Sequence, residues 1–337
     1  MRAAVLVQPG AVEIQEVDDA TWPGPGEVLV RIRRVGICGT DIHAFGGRQP
    51  FLSYPRILGH ELAAEVLDVG AGVSGMVPGD RAAIRPAIGC GHCDACQRGL
   101  ENACATLAVL GAHVDGGLRE LLLVPAAALH TSSRLTLDQL ALVEPLSIGG
   151  HAVERGTPRA GDRILVIGAG PIGLAVLAHL LAAGIRPWIA DVSPERRAFA
   201  ARWADAVILD PGTGPTDVVR RAMGGELATL VFDATGNPAS MHAAFDLLAP
   251  GGRLVLVGLF QGDLSFHDPE FHRRELTVLG SRNATAADFS RSIEIIERGQ
   301  ARVADWITQR TTLEQLPETF PLLEEKGSAS IKVIVDL

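Results

Sequence analysis

Apolar positions change their rhythm once along the chain. Through residue 145 or so they come in short runs of strand periodicity, Glu27 to Val35, Glu61 to Val69, Arg81 to Arg85 and Glu120 to Val124, broken often by Gly and Pro. Turns this frequent predict a partly closed β structure. From Arg163 apolar runs alternate with helical stretches, with strands expected at 163–167, 187–191, 206–209, 229–233, 253–257 and 276–280 and helices between them. Strands and helices in that alternation predict a doubly wound parallel sheet of six strands. Beyond Gly280 the alternation stops, leaving a helix near Ala286 to Arg298 and a strand Ala329 to Asp336, which can return to the first domain. The expected division is 1–146, 147–281 and a return over 282–337.

Residues 164–185, ILVIGAGPIGLAVLAHLLAAGI, carry no formal charge and are long enough to span a bilayer. Glycines and Pro171 break the stretch and no second such span exists, so it reads as a buried strand, Ile164 to Ile167, a glycine turn and a buried helix beginning near Pro171. Thirty basic against 39 acidic side chains give a net charge of −9, the wrong sign for affinity built on neutralising phosphates, so nucleic acid is not an expected partner. A hydrophobic share of 47% with 20% charged residues excludes disorder, and 337 residues accommodate about two domains. Five cysteines are too few for a secreted disulfide scaffold, and the start, MRAAVLVQPG, lacks a signal-peptide core. The expected location is cytoplasmic, where thiols can hold metal.

Gly168-Ala169-Gly170-Pro171-Ile172-Gly173 is a G-x-G-x-x-G turn between that strand and that helix. Gly168 permits the tight turn, Gly170 lets a pyrophosphate approach the backbone, and Gly173 lets helix and strand pack closely. The helix N-terminus, opening at Pro171 and Ile172, offers unpaired N–H groups to phosphates. Asp191 closes the next strand, where its carboxylate would accept from an adenosine ribose and repel a 2′-phosphate, favouring NAD over NADP. The plainer alternative is a cap for the helix of Ser193-Pro194-Glu195, and Arg196 and Arg197 leave a receptor for a 2′-phosphate. Thr235 in Asp233-Ala234-Thr235-Gly236, and Val257-Gly258-Leu259, fall at the ends of later strands, where such a fold places its ligand.

Cys90, Cys93, Cys96 and Cys104 supply four soft ligands, enough to close a tetrahedron of thiolates around zinc. The bacterial iron–sulfur run has a short last spacer followed by proline, whereas Ala105 follows Cys104. A closed four-thiolate site has no open position, so it should fold a lobe, residues 86–108, and do no chemistry. Cys38 is then the remaining thiolate. It opens Cys38-Gly39-Thr40-Asp41-Ile42-His43, and His60-Glu61 and Glu144 are the further candidates for a second site. A lone cysteine is as readily inert core, so the outcome depends on whether the fold gathers these residues.

These segments in this order, CGTDIH, GHE with its glycine-rich sequel, VPGDR, the four-cysteine lobe, VEPL, GAGPIG and the aspartate after it, resemble the zinc-dependent medium-chain dehydrogenases over essentially the whole chain. Glu61 and Glu144 make it similar to their sorbitol and L-threonine dehydrogenase branch. The stretches CGTDIHAFGGRQPFLSYPRILGHE and GLFQGDLSFHDPEFHRRELTVLGSRNATAADF are similar to bacterial L-galactonate and L-gulonate 5-dehydrogenases. The resemblance implies a GroES-like β catalytic domain over 1–146 with the return at 282–337, and a Rossmann NAD domain over 147–281. It also implies a structural and a catalytic zinc, the latter held by Cys38, His60 and Glu61 with Glu144 as a fourth ligand. Zn²⁺ with Cys⁻, neutral His and one Glu⁻ is formally neutral, and Glu144 makes it negative and a weaker Lewis acid. Glu144 is therefore expected to ligate only without substrate, or to hold a water. Asp41 is expected to bond the His60 ring.

The reaction implied is NAD-dependent oxidation of a secondary hydroxyl of a sugar acid or polyol to the ketone. Zinc would lower the pKa of the hydroxyl, Thr40 would take its proton, and His43 would pass it toward solvent. A turn hydroxyl and a surface histidine are the plain alternatives for those two residues. The carboxylate of a sugar acid needs a positive partner, and Arg48, Arg56 and Arg282 lie in segments that the resemblance brings near the active-site cleft. Asn283 and His113 are further pocket candidates. An L-threonine or sorbitol dehydrogenase-like activity is the rival within enzymes, and a non-catalytic nucleotide-sensing protein the rival outside them. Retention of Cys38, His60, Glu61, Glu144 and Thr40 speaks against the last. The family leads one to expect a homo-oligomer, dimer or tetramer.

Overall fold

The residues EVLVRIRRVGI alternate apolar and polar side chains, and in the computed structural model they form the strand Glu27–Ile37, burying Val28, Val30 and Ile32 and turning Arg31 outward. The structure describes residues 1–50, 52–203, 207–210, 214–326 and 330–337. Contacts divide the chain into two units: Met1–Glu144 with Ala284–Glu297 and Val303–Leu337, and Pro145–Asn283 with Arg298–Arg302.

In the first unit Glu27–Ile37 pairs antiparallel with Glu61–Val69, Leu121–Pro125 and Lys332–Asp336, at the centre of a seven-stranded sheet. Its register against Glu61–Val69 shifts between Ile32 and Arg34. This bulge hands the inward face on to Val35 and brings Gly36 opposite Glu61. A smaller sheet joins Arg2–Gln8 to Ala11–Glu16 and Arg56–Ile57. The helices Gly39–Phe45 and Leu316–Lys326 meet through stacked rings of Phe45 and Phe320, 5.5 Å between centroids.

In the second unit six strands run parallel in the order Val207–Leu209, Trp188–Ala190, Ile164–Ile167, Ala228–Asp233, Leu248–Leu256, Thr277–Gly280. The order reverses beside Ile164–Ile167, the switch point at which such sheets bind ligands. The helix Pro171–Ala182 buries every residue from Gly173 to Leu180, which accounts for the uncharged stretch without a bilayer. Among the described residues no helix is long and apolar enough to cross a membrane.

The doubly wound sheet is as the pattern predicts. Elements that were not anticipated include Arg2–Gln8, Val143–Gly156, Ile307–Thr312 and Leu316–Lys326. Ala206 and Ala329, the expected first residues of two strands, lie outside the described residues.

Candidate metal and cofactor sites

Cys38 caps the N-terminus of Gly39–Phe45, and the helix is closed by Asp41, whose carboxylate accepts the Cys38 N–H at 2.9 Å. The same carboxylate accepts the Gly59 N–H at 3.4 Å and stands 3.6 Å from His60 Nδ1. One buried acid thus meets both segments that carry the expected ligands, whereas the sequence pointed only to its contact with the His60 ring. Cys38, His60 and Glu61 each offer a ligand atom within 4.8 Å of the others. Burial alone would raise Asp41, but the His60 ring and the two N–H groups hold it below the usual carboxylate range. Burial would likewise depress His60, and the Asp41 carboxylate holds the ring well above the usual histidine range.

The residue that sequence reasoning missed is Lys332. Its ammonium is buried and donates to both oxygens of the buried Glu61 carboxylate, at 2.6 and 2.8 Å, and to the Ile37 carbonyl at 3.3 Å. Burial works against its charge, and Glu61 more than restores it. Gly36 makes room for the pair, since a Cβ there would fall 1.9 Å from Glu61 Oε2. A signal was present: a single lysine inside the otherwise apolar run Ile331 to Val335. Buried charges need partners.

Two pairs thus meet at the centre, His60 with Asp41 and Lys332 with Glu61. This donor set of thiolate, imidazole and carboxylate fits zinc. Glu144, second residue of Val143–Gly156, is buried outside the 4.8 Å set, and burial pushes its carboxyl up to about 7, with His60 opposing and Glu61 adding to the shift.

Thr40 is half-buried in the first turn of Gly39–Phe45, and His43 is exposed in the last. The structure gives other partners to three expected substrate residues. Arg48 bonds Glu324 at 2.8 Å and His43 at 3.4 Å. Arg56 bonds Asp115 at 3.0 Å and Ser53 at 2.9 Å. Their charges are already compensated, which removes the ground for taking either as an open carboxylate receptor. His113 is exposed, and its Nδ1 accepts the Val109 N–H of its own turn at 3.2 Å. Arg282 is exposed beyond Thr277–Gly280 in the second unit, followed by Asn283 at a positive φ of 51°.

The four-cysteine lobe is built as a ligand cage. All four ligand atoms lie within 4.8 Å of one another, and the Cys90 N–H points at Cys104 Sγ at 3.2 Å. Cys93 and Cys104 sulfurs are 3.8 Å apart, well beyond a disulfide bond of about 2 Å. N–H groups of His92 and Cys93 lower Cys90 to about 6, whereas burial pushes Cys96 up to about 12. Buried Arg85 ties the lobe down by donating to the Ala87 carbonyl at 2.9 Å and meeting Glu101 at 3.2 Å. Replacing Cys104 with serine is expected to remove this ion and lower Tm by at least about 5 °C, the shift for a loss of about 2 kcal/mol. Metal analysis and a thermal melt check it.

In the second unit Gly168 takes a φ of +97°, and a Cβ on Gly173 would fall 1.7 Å from the Gly168 carbonyl, so the turn requires both glycines. Gly170 caps the helix that starts at Pro171, with Ile172 behind it. Asp191 accepts the Ala169 N–H at 2.7 Å and the Ser193 N–H at 2.8 Å, with Arg196 3.8 Å away. It therefore braces the glycine turn and the next helix start. Thr235 follows buried Asp233, which accepts its N–H and hydroxyl, while the Asp233 carbonyl accepts from Val257 and Gly258. Leu259 is exposed beside them.

Residues 24–134 match the alcohol dehydrogenase GroES-like domain, and residues 171–298 match the zinc-binding dehydrogenase model. The chain is 43% identical over 299 residues, 88% of each sequence, to L-galactonate-5-dehydrogenase of Escherichia coli. It is 32% identical over 303 residues, 89% of each, to 2-dehydro-3-deoxy-L-galactonate 5-dehydrogenase of Pseudoalteromonas atlantica. The crystal structure of RspB from Escherichia coli, complexed with NADH, matches with a TM-score of 0.92 at 30% identity, over 100% of this chain and 99% of that one.

Proposed function

The chain belongs to the zinc-type alcohol dehydrogenase family, and on that premise we propose that it oxidises a secondary hydroxyl of a sugar acid of the L-galactonate or L-gulonate type, or of a polyol, to the ketone with NAD. The observation that carries the reading is the meeting of Cys38, His60 and Glu61 around buried Asp41.

Cys38, His60 and Glu61 would hold the catalytic zinc, and Cys90, Cys93, Cys96 and Cys104 the structural one. When bound, the zinc supplies a Lewis acid toward the substrate hydroxyl and the nicotinamide accepts a hydride. Asp41 orients the His60 ring, and Lys332 fixes both oxygens of Glu61. Thr40 takes the hydroxyl proton, and His43, exposed one turn on, hands it to solvent. Glu144, poised near neutrality, would hold a water or serve as a fourth ligand in the absence of substrate. Gly168, Gly170, Pro171, Ile172 and Gly173 receive the pyrophosphate, Asp191 and Arg196 the adenosine ribose, and Thr235, Val257, Gly258 and Leu259 the nicotinamide half. The protein works in the cytoplasm as a homo-oligomer, which light scattering tests.

NADH formation across L-galactonate, L-gulonate, sorbitol, galactitol and L-threonine is the direct experiment. A sugar acid should lead in kcat/KM by about tenfold, the effect of about 1.4 kcal/mol of transition-state binding. Preference for L-threonine, or no turnover of any of them, would overturn the assignment. Asp191→Ser should move the NAD to NADP preference by about 10–100-fold toward NADP, the worth of a charged hydrogen bond. Steady-state kinetics with both cofactors measures it.

A further inference from the structure

His43 is held from two sides by the turn that follows its helix. The Arg48 N–H donates to the His43 carbonyl at 2.7 Å, and the Arg48 side chain folds back to place Nε 3.4 Å from His43 Nδ1. Its other end is anchored by Glu324, 2.8 Å from Nη1, on the helix Leu316–Lys326. The crossing needs space over the helix end, and Gly46 gives it: a Cβ there would fall 2.3 Å from both Arg48 Nη1 and Glu324 Oε1. Gly47, at a φ of +71°, turns the chain so that Arg48 can return.

An arginine Nε–H is only a donor, so the imidazole nitrogen facing it must be the acceptor. We propose that Arg48 and Glu324 are a positioning pair that keeps the His43 ring neutral, with Nδ1 as acceptor and its one proton on Nε2, and that the ring takes up a further proton only when Arg48 lets go of Nδ1. The neutral Nε2–H ring has its sole available lone pair on Nδ1, and the guanidinium occupies it. Arg48 and Glu324 are the charged groups that face the ring among the described residues. Burial and the Arg48 charge hold His43 below the usual histidine range, and Glu324 pulls weakly the other way. The pair so becomes a gate on proton transfer at this histidine. The inference rests on the dehydrogenase reading for its catalytic meaning, though not for the tautomer itself.

The test is a ¹⁵N-histidine NMR titration of the zinc-loaded protein, with the His43 signal identified by its loss in His43→Gln. The wild type should show Nδ1 unprotonated and Nε2 protonated. Arg48→Met should mix the tautomers, raise the His43 midpoint by about half a unit or more, and move the acid limb of kcat the same way. Arg48→Lys should keep most of the depressed midpoint while losing the fixed tautomer, because it retains charge without the planar donor. Arg48→Met should also lower kcat/KM equally on L-galactonate and sorbitol. A wild-type ring protonated on Nδ1, an unmoved midpoint in Arg48→Met, or a loss confined to L-galactonate would overturn the pair. Should His43→Gln leave kcat intact while the NMR results hold, the relay fails and the pairing stands.

Discussion

Replacing Cys38 with serine is expected to lower kcat/KM by about three orders of magnitude and to leave one zinc per chain where two sites exist. A serine hydroxyl does not ionise near neutral pH, so the dication loses its one soft anionic donor at this centre and its affinity with it. The Lewis-acid contribution is worth several kcal/mol, and about 4 kcal/mol corresponds to a thousandfold. The fold should be largely spared, because the bond from the Cys38 backbone N–H to Asp41 does not need the sulfur. Metal analysis, turnover and a melt on one preparation decide the matter. A variant that keeps both ions, or a tenth of the turnover, would contradict the site.

Lys332→Met should cost about 3–5 kcal/mol of stability, because it strands the fully buried Glu61 carboxylate without its cation. At a few degrees per kcal/mol the melt should fall by roughly 10 °C. Adding Glu61→Gln to Lys332→Met should return more than half of that stability, because no uncompensated charge then remains, while activity stays lost with the ligand. Were the lysine there only for the packing of its methylene stem, the second change would return nothing. The double-mutant cycle separates the two.

What could be read in the sequence follows the distance over which each contact acts. The glycine turn, the helix after it and the four-cysteine lobe are local constructions, so spacing alone exposes them. Cys38, His60 and Glu61 meet across strand pairing, and only the resemblance brought them together beforehand. Lys332 and Glu324 lie beyond either route, because Glu61 and Lys332 are 271 residues apart and Arg48 and Glu324 are 276 apart. Ile307–Thr312, ITQRTT, escaped notice because polar residues fill most of it, and Leu316–Lys326 because Pro321 stands inside the helix. Arg2–Gln8 buries consecutive residues, Ala3 to Leu6, and shows no alternation. Arg48, Arg56 and His113 were read for charge or ring chemistry alone. Their partners Glu324, Asp115 and the Val109 N–H decide what they do.

The separation of Glu61 from Lys332 also sets a timetable. At 5–20 residues per second, a ribosome that has placed Glu61 needs about 15–50 s to reach the lysine 271 positions later. Throughout that interval the acid lacks its cation and Glu27–Ile37 lacks its neighbour Lys332–Asp336. The six parallel strands are translated within the same window and can close first. The nascent early segment therefore carries Cys38, His60 and Glu61 well before the buried partner of Glu61 has been made.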